Sequence, residues 1–74
     1  MIELRLHKDV YLGAAVDAAI KQFARYARLT AREEASHWVV QIEAATPARA
    51  RTVAGELGNA ALGGSAKARP AVQP

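Results

Sequence analysis

The chain has 74 residues, no cysteine, and ten Lys/Arg against seven Asp/Glu, for a formal net charge of +3. This length allows one domain with a small core, and the missing thiols exclude a disulfide framework and any thiolate metal site. Lys67 and Arg69 lie near the C-terminus, so residues 1–62 are almost neutral, with eight basic against seven acidic side chains; a dedicated nucleic-acid domain carries a clearer basic footprint.

Ile2, Leu4 and Leu6 alternate with Glu3, Arg5 and His7, the pattern of a strand with one apolar face. Leu12, Val16, Ile20, Phe23 and Ala27 then recur at helical spacing. Asp17, Lys21 and Arg25 fall on the opposite face, Asp9 is the expected cap, and the helix is expected to end near Tyr26. Ala27, Leu29 and Ala31 alternate with Arg28, Thr30 and Arg32 in a short second strand whose charges suit a sheet edge. Glu33 to Ser36 reads as a turn. Residues 37–44, HWVVQIEA, form the third and most apolar strand, which predicts a central position. Trp38 is expected to be buried against both helices.

Thr46-Pro47 is a helix start, since Thr caps and Pro is tolerated at the first helical position. Ala50, Val53, Leu57 and Ala61 make the buried stripe. Gly55 and Gly58 sit inside this helix, marking either a close backbone approach or a weak helix. Gly63-Gly64 is expected to end it. Residues 65–74, SAKARPAVQP, read as a disordered tail, leaving 1–64 as the single domain. No apolar run reaches the roughly 18 residues of a membrane helix, and the expected compartment is the cytoplasm.

The order βαββα predicts an α+β, two-layer fold with a three-stranded sheet in order 1-3-2 and both helices on one face. Pairing Leu6 with Trp38 sets Leu4 opposite Val40 and Ile2 opposite Ile42. Pairing Arg32 with His37 sets Ala31 opposite Trp38 and Leu29 opposite Val40. One register then satisfies every core position.

The uncovered face would carry His7 opposite His37, with Arg5, Arg28, Arg32 and one apolar centre, Val39. Two histidines with Asp9 nearby fall short of a metal site, which needs further ligands. No nucleophile–base pattern and no phosphate-binding glycine loop is visible, so neither catalysis nor a cofactor is expected. The mostly charged open face reads first as a solvated surface and next as a partner surface, which with the edge would use Arg5, His7, Arg28, Thr30, Arg32, His37 and Val39, the edge being able to accept an extended peptide. A homodimer is a further expectation.

Tyr11 follows the first strand and precedes an Ala-rich helix, the W-V-V-Q-I strand comes next, and the last helix carries Glu56-Leu57-Gly58-Asn59-Ala60-Ala61-Leu62. In these features residues 2–62 resemble HxsD of the His-Xaa-Ser peptide-modification systems, with Asn59 in the place of that family's asparagine. Gly63 stands where the family has Asp, and Lys67 near where an Arg would fall. The resemblance implies a non-catalytic accessory protein that binds a peptide or a radical-SAM enzyme, with Tyr11, Glu56, Leu57, Asn59 and Leu62 as the motif positions. The alternative, a small subunit of an RNA-modification complex, would use Arg5, Arg28, Arg32, Arg49 and Arg51 as phosphate contacts.

Overall fold

The computed structural model describes residues 1–68. Its elements are β1 (Ile2–His7), α1 (Gly13–Phe23), β2 (Arg28–Glu33), β3 (His37–Glu43) and α2 (Pro47–Ala68). The strands form one antiparallel sheet in the order β1-β3-β2, as the alternation predicts. Side chains on one face of this sheet make a single core with both helices: Leu6, Val40 and Ile42 meet Val16, Ala19 and Phe23 of α1 and Ala50, Val53, Leu57 and Ala61 of α2. None of the helices is long and apolar enough to cross a membrane.

The β1–β3 register is the expected one, with Leu6 opposite Trp38, Leu4 opposite Val40 and Ile2 opposite Ile42. The β2–β3 register differs by two residues: Glu33 faces Trp38, Ala31 faces Val40 and Leu29 faces Ile42. Such a shift keeps the inward set inward, because side chains alternate with period two. The turn decides it. Glu34 N–H donates to the His37 carbonyl (2.8 Å), so only Ala35 and Ser36 form the loop, and a short loop dictates pairing.

Helix α1 is shorter than its apolar stripe. Leu12 flanks its start and Ala27 lies beyond its end, in the connection to β2. Asp9 is not the cap. Leu12 occupies that position without a side-chain cap of its own, and its N–H donates instead to Ser65 Oγ (2.9 Å). Thr46 does cap α2, its Oγ1 accepting the Arg49 N–H (3.1 Å).

The expected stop at Gly63-Gly64 is corrected, because α2 runs on to Ala68 and the side chain of Ser65 is fully buried. Ser65 lies four residues after Ala61 and so continues the buried stripe. Its hydroxyl donates to the Ala61 carbonyl (2.8 Å) while accepting from Leu12. Gly64 is a contact point rather than a terminator: a Cβ there would lie 3.1 Å from Ala15 Cβ, so α1 and α2 approach through small residues. Gly55 has open space around it and Gly58 only ordinary contact with Leu4, so neither serves a close approach. Residues 69–74, the remainder of the segment expected to be a disordered tail, lie outside the described residues.

Trp38 is half-buried rather than buried as expected, and its ring packs on the start of α1 at the margin of the core. Its Nε1–H donates to the Tyr11 carbonyl (3.0 Å), and its ring lies against Gly13, where a Cβ would come within 2.9 Å. Lys8 Nζ sits 4.6 Å from the ring centroid, a cation–π contact that covers the outer surface of the indole.

Candidate functional site

The sheet face away from the helices is built by alternation. Arg5 of β1 and Arg32 of β2 flank Val39 of β3. Both guanidinium groups reach Glu34, just beyond β2: Arg5 Nη2 donates to Oε1 (2.7 Å) and Arg32 Nη2 to Oε2 (3.1 Å). Arg32 Nη2 also donates to Glu3 Oε1 (3.2 Å). The network closes over the centre of the face, and Val39 is 0% exposed. The alkyl stems of the two arginines lie along apolar surface while their heads stay wet. Hydrogen bonds from Arg5, then Arg32, hold the Glu34 carboxyl below the usual carboxylate range, and Glu34 holds the Arg5 guanidinium above its ordinary value.

This corrects the expectation of Val39 as an exposed apolar contact. It also reassigns Glu34, which the sequence pattern marks only as a turn residue. Its signal was its position two residues after Arg32, within reach of the same face.

His7 and His37 stand side by side at the end of this face, ring centroids 4.8 Å apart and nearly perpendicular. His7 Nδ1 accepts the Asp9 N–H (3.1 Å), and Ser36 Oγ lies 2.7 Å from His37 Nδ1. These bonds tie the imidazoles to the two adjacent turns. Among the described residues no three His, Cys, Asp or Glu side chains converge as metal ligands would.

The sheet edge at β2 has a different character. Among the described residues, β1 and β2 each have β3 on one side and no strand on the other. In an antiparallel ladder, alternate residues bond to one neighbour and then point away from it. The Glu34–His37 bond sets the phase. Arg28, Thr30 and Arg32 therefore bond into β3, whereas Leu29, Ala31 and Glu33 direct N–H and C=O outward. Thr30 is thus an open-face side chain on a backbone unit already used by the sheet.

On the helix side of the same edge, a groove of about 210 Å³ runs between α1 and β2. Gly13, Val16, Ile20, Ala31 and Trp38 supply its apolar surface, and Asp17, Arg32 and Glu33 complete the lining. Two of the lining residues also hold Lys8, which is ion-paired with Glu33 and sits over the Trp38 ring. Sequence reading assigned Val16, Ile20 and Trp38 to the core alone. The groove arises because α2 lies over β1 and β3, whereas β2 has only Leu29 half-buried and leaves Ala31 exposed. Arg28, at the start of the edge, is 80% exposed on its side chain and 3.9 Å from Glu43, its one ion-pair partner among the described residues.

The other sequence candidates do not assemble with this edge. Leu57 is core, Glu56, Asn59 and Leu62 lie exposed along α2, and Tyr11 is half-buried beside Trp38. Arg49 and Arg51 lie in the first turns of α2, in the helical layer, while Arg5, Arg28 and Arg32 belong to the open sheet face and engage carboxylates. The five arginines therefore form no single basic track. Comparison with family models, with curated proteins and with solved structures finds no match to this chain.

Proposed function

We propose that this chain is a non-catalytic accessory protein that holds another polypeptide, taking an extended segment as an added strand along β2. One observation carries the reading: the outward backbone groups of Leu29, Ala31 and Glu33 lie beside an apolar groove between α1 and β2. Main-chain hydrogen bonds would supply affinity, and alternate side chains of the guest would enter the groove. The His-Xaa-Ser resemblance suggests the setting, a cytoplasmic peptide-modification system with a precursor peptide or a radical-SAM enzyme as the guest.

The test is a peptide library selected against the full chain, with the site mapped by backbone amide shifts. Selected peptides should bind extended and slow hydrogen exchange at Leu29, Ala31 and Glu33. Ala31→Pro removes an outward donor without breaking the β3 ladder, so it should stay folded and lose binding. Peptides that map instead to α2 would overturn the edge reading. Capture of single-stranded RNA with affinity collapsing as salt rises would favour the RNA-subunit alternative.

A further inference from the structure

We infer that the segment held at β2 alternates small apolar residues with acidic ones, the acidic side chains on the open face and one of them opposite Arg28. The inference rests on the strand-addition reading above and adds the chemistry of the guest. A strand added to β2 would place its side chains on the same two faces, with directly opposite Cβ atoms roughly 4.5–5.5 Å apart. On the helix face the guest would meet Leu29, Ala31 and Glu33, beside Ile20 and Val16. A groove of about 210 Å³ has room for one or two modest aliphatic side chains, and its largely apolar lining, with Asp17 and Glu33 already paired to Lys21 and Lys8, disfavours charged ones.

On the open face the same guest would meet Arg28, Thr30 and Arg32. Arg32 is drawn across the sheet toward Glu3 and Glu34. Arg28 has only the 3.9 Å contact with Glu43, longer than a hydrogen bond, and is largely exposed. It is the edge cation with capacity for another carboxylate. A guest lysine or arginine opposite it would be a like-charge pair, which destabilises strand pairing.

The probes are two short capped peptides, one alternating valine with glutamate and one alternating valine with lysine. Each is titrated into the labelled full chain at low salt. The glutamate peptide should bind about fivefold tighter or better, shifting the Leu29, Ala31 and Glu33 amides. Arg28→Glu should reverse the order of the two peptides. Ala31→Pro should abolish both, and Ala31→Lys, which fills the groove without touching the ladder, provides the same control if the proline variant unfolds. Equal binding of both peptides at this edge, unchanged by Arg28→Glu, overturns the charge selection and leaves strand addition standing. Binding of neither peptide overturns both. Self-association that Ala31→Lys removes overturns the acidic guest in favour of a second copy of the chain.

Discussion

Ser65→Ala is a sharp test of how this small domain is closed. Ser65 is fully buried, and its hydroxyl joins the last turns of α2 to the cap position of α1 by accepting from Leu12 N–H and donating to the Ala61 carbonyl. The substitution leaves the Leu12 N–H without its partner, which costs about 1–2 kcal/mol at a partly buried site. Alanine's better helix propensity returns roughly 0.4 kcal/mol. The net loss of about 1 kcal/mol should lower the melting temperature by roughly 4–8 °C in a domain of this size. Ending the chain after Gly64 should cost more, since it also removes the last turn of α2. Thermal melts by circular dichroism give the stability, and hydrogen exchange at Leu12 gives the location. A variant that melts within a degree of the parent, with Leu12 exchange unchanged, would refute the closure.

Trp38→Ala should cost about 2–3 kcal/mol, below the loss for a fully buried tryptophan, because the ring is half-exposed beneath Lys8; urea unfolding measures it. Val39→Glu should destabilise the fold by about 2–4 kcal/mol, since it buries a carboxylate under the arginine network, and a variant as stable as the parent would mean the network is loose. Glu34 has a folded pKa below its unfolded one, so its contribution is complete above the unfolded carboxylate value and is lost as pH falls through the folded value. Glu34→Gln should flatten the acid limb of a stability–pH curve, and the carboxyl resonance of Glu34 should titrate below the usual carboxylate range. Gly55→Ala should stabilise by about 0.8–1 kcal/mol, having open space and a helical backbone, whereas Gly64→Ala should gain less or lose, as Ala15 must yield.

The parts legible in the sequence are those that depend on period. Ile2, Leu4 and Leu6 against Trp38, Val40 and Ile42 leave one sensible pairing, and the strand order follows from where the most apolar strand can sit. Period alone could not choose between β2 registers two residues apart, because both keep Leu29 and Ala31 inward; the two-residue turn chose. The end of α2 was obscured by chemistry at one position. Ser65 continues the stripe of Leu57 and Ala61, but a hydroxyl reads as polar until its partners, 4 and 53 residues away, are known. Val39 escapes for a related reason: it sits on the uncovered face between Arg5 and Arg32, and period does not show that Glu34 joins those two side chains across the sheet.

If β2 takes a guest strand as proposed, its edge unites protection and recognition in the same residues. An exposed strand end invites any other strand, and charged edges are the usual defence. Here the edge strand is short and carries Arg28 and Arg32 on the open side and Glu33 on the helix side. A neutral apolar strand would leave those charges partly desolvated without partners, which costs free energy. Only a strand whose own charges oppose them escapes that cost. On the strand-addition proposal, the side chains that keep the edge from pairing indiscriminately would also tell one guest from another, with Arg28, exposed and 3.9 Å from Glu43, as the proposed point of that choice.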